Sequence, residues 1–152
     1  HTRQTSCFQE RIKRRTSRMI SNSDREILIQ YRLDQAKQSI GEVCKLIEMD
    51  LLNVAVNRIY YGIFYSLTAL ALKYEFYSSK HGQLIGWFNQ TFIKTRQIEV
   101  KYGKIIRDAY KNRSDGDYAP FISFSREDVQ DMHADMIDFI ERINSFLSTP
   151  TK

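Results

Sequence analysis

From Ser21 to Ser148 the apolar residues recur at intervals of three and four, and no stretch keeps the two-residue alternation of a half-buried strand. The first periodic segment is "SNSDREILIQYRLDQAKQSIGEVCKLIEM". Ser23 with Glu26 three residues later has the form of a capping box, and Ile27, Tyr31, Ala36, Ile40, Val43, Cys44 and Ile47 follow as the predicted apolar set. Asp50 is the expected cap of a second helix, "LLNVAVNRIYYGIFYSLTALALKYEF". It is apolar nearly all round from Leu51 to Leu72, the mark of a helix touched on several sides.

A polar break at Tyr77-Ser78-Ser79-Lys80 precedes "HGQLIGWFNQTFIKT", with Leu84, Ile85, Trp87, Phe88 and Phe92 as its apolar positions. The fourth segment, "QIEVKYGKIIRDAYKNR", offers Val100, Ile105, Ile106 and Ala109 to a core. Ser125 with Asp128 opens the fifth, where Val129, Met132, Met136, Phe139, Ile140, Ile143 and Phe146 form a stripe opposite an acidic face. The pattern predicts an all-α protein, an antiparallel bundle of four to five helices, forming a single domain over residues 21–149.

Composition agrees with long uninterrupted helices, since the 152 residues include six Gly and two Pro. The net charge of +5 first suggests nucleic acid or membrane, but its location changes that picture. Residues 1–20 hold Arg3, Arg11, Lys13, Arg14, Arg15 and Arg18 against Glu10 alone; beyond them seventeen basic residues face seventeen acidic ones. The basic character therefore belongs to an N-terminal extension that has no sustained apolar period and is expected to be disordered. The extension reads in two ways: an arm that contacts RNA, or sequence upstream of a native start at Met19.

No apolar run reaches the roughly 18–20 residues of a membrane span, and the first residues lack the apolar core of a signal peptide. Cys7 and Cys44 make neither a disulfide framework nor a metal spacing, and a reduced, cytoplasmic setting is expected. Three scattered histidines provide no metal constellation, and no cofactor is expected.

The chemistry concentrates in "KNRSDGDYAP", Lys111 to Pro120. Arg113 and Asp117 can grip a phosphate and orient a nucleophile. They can equally close a helix, with Arg113 at the negative end of the helix dipole and Asp115-Gly116 as turn residues. Arg58 is the one strong charge in the apolar second helix, and Asp117 is its expected partner, because a buried arginine requires a carboxylate. Asn57, Arg58 and Tyr61 share one side of that helix, beside Tyr60 and Tyr65. They read either as the edge of a nucleotide-recognising pocket or as packing with locally bonded hydroxyls. His81 is placed to greet an anion at a helix start, or simply to open the helix; His133, among acids, is expected on a solvated face.

Three of these segments together resemble the HEPN domain family. They are an Asn-Arg-x-Tyr-Tyr-x-x-Phe run (Asn57–Phe64), a Lys-His-Gly segment at Lys80, and an Arg-x-x-x-Asp-Tyr ending at Tyr118. The similarity spans residues 22–147 in order, and is greatest to the branch encoded beside a minimal nucleotidyltransferase. It implies a bundle of four or five helices, homodimerisation and membership of a toxin–antitoxin-like module with that nucleotidyltransferase as partner. Family toxins are metal-independent ribonucleases with an Arg-x(4–6)-His motif, in which arginine holds the scissile phosphate and histidine moves a proton. Here the histidine slots after Arg113 hold Tyr118, Ala119 and Pro120, and Pro120 also occupies the place of the tyrosine that the partner adenylylates in some family toxins. The resemblance therefore implies an interaction protein without the standard ribonuclease chemistry, its polar cluster made of Asn57, Arg58, Tyr61 and His81, open to RNA or a nucleotide. The alternative it leaves open is a ribonuclease in which Arg113 acts with Tyr118 or Asp117 in place of the histidine.

Overall fold

The computed structural model describes residues 20–118 and 122–149, with the backbone alone at residues 116–118. Among them are five α-helices: α1 Asn22–Glu48, α2 Leu52–Lys73, α3 His81–Phe88, α4 Val100–Tyr118 and α5 Arg126–Ser148. The all-α bundle expected from the periodicity is present. α2 lies at its centre, in contact with α1, α3, α4 and α5. It contributes Val56, Ile59, Tyr60, Ile63, Leu67 and Leu70 to one core that also takes in Val43, Phe88, Phe92, Ile106, Met136, Phe139 and Ile140.

The helix ends differ from their sequence reading in instructive ways. α1 is capped by Ser21, whose hydroxyl accepts from the Asp24 N–H at 3.1 Å, so Ser23 sits inside the helix instead of capping it. Asp50 does not cap α2. It takes a left-handed conformation (φ 59°) at the end of α1, and the next N–H, of Leu51, reaches back to the Leu46 carbonyl at 2.9 Å. That is the glycine-type C-terminal motif, here built on an aspartate, one of the few side chains that tolerate this backbone. The Asp50 carboxylate is thereby turned to Arg126 at the start of α5, 3.1 Å away. Ser125 does cap α5 as expected, accepting from the Asp128 N–H at 3.1 Å.

The core stripe of α1 also differs. Ile29, Leu33, Ala36, Ser39, Val43 and Ile47 are buried. Ile27 is 66 % exposed, and Tyr31 and Cys44 are exposed as well. "ILIQYRL" carries apolar residues on two faces, and the choice falls to Ala69 of α2, against which Ile29 and Leu33 pack. Where α1, α2 and α5 converge, Gly62 faces Ser39 and Met136 so closely that a Cβ would overlap both. The third segment is not one regular helix: after Phe88 it widens to a π-helical turn over Asn89–Ile93, closed by the Lys94 N–H on the Asn89 carbonyl at 2.9 Å. The widened turn lies against Gly103 of α4, where a Cβ would stand 2.8 Å from Asn89 Oδ1.

On α4 the predicted Ile106 is buried and Ile105 and Ala109 pack against the core, but the predicted Val100 is 70 % exposed and burial falls also on Tyr102, with Ile98 just before the helix. The helix does not end at Arg113. It runs on through Asp115 and Gly116 to Tyr118, so the polar ending of the fourth segment is helical and not a turn.

Candidate functional site

The polar cluster grows from the two adjacent tyrosines of α2. Tyr60 points into the bundle and is fully buried, while Tyr61, one position round the helix, is only half-buried. One turn further on, Phe64 continues the same side. The short loop after α2 returns the chain so that His81, the first residue of α3, stacks on Phe64 with ring centroids 4.1 Å apart. Its Nδ1 lies 2.5 Å from the Tyr60 hydroxyl. α4 delivers Arg113, whose guanidinium carbon is 5.3 Å from the centroid of each tyrosine ring. Arg113 Nη2 donates to the Tyr61 hydroxyl at 3.2 Å. Tyr110, one turn before Arg113, meets the Tyr60 ring edge-on at 5.7 Å and remains 38 % exposed.

The electrostatics follow from this packing. Burial drives the Tyr60 phenol far above its ordinary value; the Arg113 cation opposes the shift, and Tyr110 and Tyr61 add to it. Tyr60 is therefore a protonated phenol at neutral pH. His81 is pushed the other way, below its ordinary 6.5, by burial first and by the Arg113 cation second. The Tyr60 hydroxyl and His81 Nδ1 share one hydrogen bond, whose direction follows the imidazole tautomer. The site thus contains a cation, an imidazole whose protonation is disfavoured and two hydroxyls, set among aromatic rings.

Of the residues singled out in the sequence, Arg113, Tyr61 and His81 come together, with Tyr60 between them. Arg58 and Asn57 do not join them. Arg58 reaches across to α1 and pairs with Glu42 at 2.9 Å, its side chain 43 % exposed. It is neither buried nor in need of Asp117, and the Asp117 side chain lies outside the described residues. Arg58, Asn57 and Glu42 line an open groove of about 650 Å³ with Lys45, Leu46, Asn53 and Val54. Tyr118 also falls outside the described side chains. His133 is not on a solvated face: half-buried, it ties α5 to α1 through Nε2 and the Ile40 carbonyl at 2.9 Å. Tyr110 escaped the sequence reading, although its position three before Arg113 on one helix was a signal. Among the described residues no group of three or more His, Cys, Asp or Glu is arranged to hold a metal. None of the described helices is long and apolar enough to cross a membrane.

Comparison with known proteins places this architecture. The HEPN domain model matches residues 29–146, from within α1 to near the end of α5. A UPF0332 protein of Thermotoga maritima is 30 % identical over 125 residues, which is 82 % of this chain and 95 % of the relative. Two proteins of Methanocaldococcus jannaschii that are named as candidate toxins are also similar. One is 32 % identical over 64 % of this chain and 67 % of its own length, the other 35 % identical over 64 % and 72 %.

Proposed function

The chain belongs to the HEPN domain family, and from that premise we propose that it is the toxin-type half of a toxin–antitoxin-like module. Its partner in this reading is a separately encoded minimal nucleotidyltransferase, it works as a homodimer in the cytoplasm, and the Arg113 cluster serves recognition. The toxin names of two relatives support the module. The observation that carries the recognition role is the state of His81. Its Nδ1 is bonded to the buried Tyr60 hydroxyl, its ring is stacked on Phe64 and its titration is depressed by burial and by Arg113, so the histidine near Arg113 is tied into the packing of the bundle.

Co-expression is the test. Induced alone, the chain should arrest growth. Induced with the minimal nucleotidyltransferase encoded beside it, growth should resume and the two proteins should co-purify. Growth unaffected by the chain alone, or arrest that the neighbour fails to relieve, would overturn the reading.

A second reading is kept by one observation: Arg113 is held by the Tyr61 hydroxyl and two ring faces, as a phosphate clamp in a metal-independent ribonuclease would be. In that case Tyr118 or Asp117 supplies the proton transfer. Cleavage of a mixed RNA pool without metal, abolished by Arg113→Ala, would favour it over the first.

A further inference from the structure

We propose that the cleft between α4 and α5 is a socket for the end of a lysine side chain presented by a protein partner. The inference deepens the reading of the chain as an interaction protein and rests on it, but the socket shares no residue with the Arg113 cluster.

α4 and α5 run antiparallel. They are tied at one point by the Tyr102 hydroxyl on Asp138 at 2.8 Å and at another by the Asn112 amide on Met132 Sδ at 3.9 Å. A cleft opens here, lined by Ile59 and Ile63 of α2, Ile105, Asp108 and Asn112 of α4, and Met132 and Asp135 of α5. Ile59 and Ile63 are buried, Asp108 is partly buried and Asp135 is exposed, so the cleft is apolar in its depth and acidic towards solvent. Its free volume is about 30 Å³. A single water needs roughly 10–15 Å³. The space therefore takes one ammonium and the methylene behind it, and is too small for a nucleobase or a phosphate.

The charges around the cleft do not balance. Asp131, Asp135 and Asp138 share one side of α5, and Lys101, Lys104 and Asp108 share one side of α4. Lys101 is taken by Asp138 at 3.0 Å, and Lys104 by its own helix neighbour Asp108 at 3.1 Å. Asp135 has no hydrogen bond or ion pair among the described residues. Burial, then Asp138 and Asp131, push its carboxyl above the ordinary value; Lys104 opposes them and Asp108 adds to them.

Three acceptors are left to the cleft. They are the Asp135 carboxylate, Asp108 Oδ1, because Lys104 takes Oδ2, and Asn112 Oδ1, because its amide nitrogen is on Met132. A lysine ammonium has three N–H donors to match them, and its methylene stem suits the isoleucine and methionine lining. A guanidinium is planar and broader than the space. A bare metal ion gains nothing from the apolar lining. Size and charge complementarity thus select a lysine side chain, whose source is a protein.

The experiment is methyl ¹³C–¹H NMR of the full chain, titrated with Nα-acetyl-lysine amide and, separately, with its norleucine and arginine analogues and with sodium chloride. The lysine amide should shift the Met132 and Ile105 methyls saturably, with a dissociation constant on the order of 10 mM, as a single side chain allows. Asp135→Asn should weaken it about threefold or more. Lys104→Gln should tighten it by freeing Asp108. Glu127→Gln, which alters an acid at the start of α5 outside the cleft, should leave it unchanged. In the co-expressed pair, Asp135→Asn should weaken co-purification of the neighbour and Glu127→Gln should not.

Methyls unmoved up to about 50 mM lysine amide would overturn the proposal. So would an equal shift from the norleucine analogue or sodium chloride, tighter binding of the arginine analogue, or an equal loss in Glu127→Gln. Co-purification unchanged by Asp135→Asn would overturn the assignment to that partner. A neighbour that co-purifies while the methyls stay still leaves the module reading standing and the socket refuted. Methyls that respond to lysine amide where no neighbour relieves growth arrest give the reverse.

Discussion

At the residue scale, a histidine that the chain places 32 positions before Arg113 becomes its neighbour in space. The motif arithmetic that leaves Tyr118, Ala119 and Pro120 in the histidine slots could not reveal this, because it counts along one helix while His81 opens another. The depressed titration of His81 gives a pH signature of known sign. Because its folded value lies below 6.5, the unfolded chain binds the proton more readily. The stabilising contribution is therefore complete above about pH 6.5 and is lost as the pH falls through the folded value. Tyr60 contributes the mirror image, since its folded value is raised: stability is complete below about pH 10 and declines as the pH rises. Urea unfolding of wild type between about pH 7 and pH 5 should show a steeper loss of stability than His81→Gln, in which the titrating group is gone. Equal slopes would mean that burial and Arg113 do not act on His81 as the packing indicates.

At the scale of the elements, the periodic pattern located every helix but not every face or end. α5 was fully legible: all seven predicted stripe positions are in or against the core, and its Ser125 cap was read correctly. α1 was legible in its C-terminal half apart from the exposed Cys44, and misread in its N-terminal half, where apolar residues on two faces left the choice to α2. The π-helical turn at Asn89–Ile93, which carries the core residue Phe92, had no signature in the apolar spacing. Gly62 shows what an element interface demands. Helical glycine ordinarily costs roughly 1 kcal/mol relative to alanine, yet here the added methyl would overlap Ser39 and Met136. Gly62→Ala should therefore destabilise the protein, by about 1–3 kcal/mol of overpacking, instead of stabilising it. Denaturant midpoints of the two proteins would decide, and a more stable Gly62→Ala would show that Met136 moves aside freely.

At the scale of the whole molecule, the cluster exists because α2 touches every other helix and hands two adjacent tyrosines to two different tasks. Tyr60 serves the core and His81; Tyr61 serves Arg113. The site should therefore loosen with the fold. Leu67→Ala, at a fully buried position on α2, should cost about 2–5 kcal/mol and weaken the Tyr60–His81 hydrogen bond as well. Thermal unfolding followed together with the His81 imidazole resonances would test that link; a destabilised variant with unchanged His81 resonances would show the cluster to be locally self-sufficient. The sequence by itself determined the helical class, the order of the helices, the central place of α2 and the residues that carry the family resemblance. All of these rest on spacing within one helix, which a linear pattern records. The tertiary structure alone decided that Arg58 answers to Glu42, that His133 ties two helices, and that His81 completes the cluster at Arg113. Those partnerships lie between helices, where the crossing of packed elements sets distance and sequence separation carries no information about it.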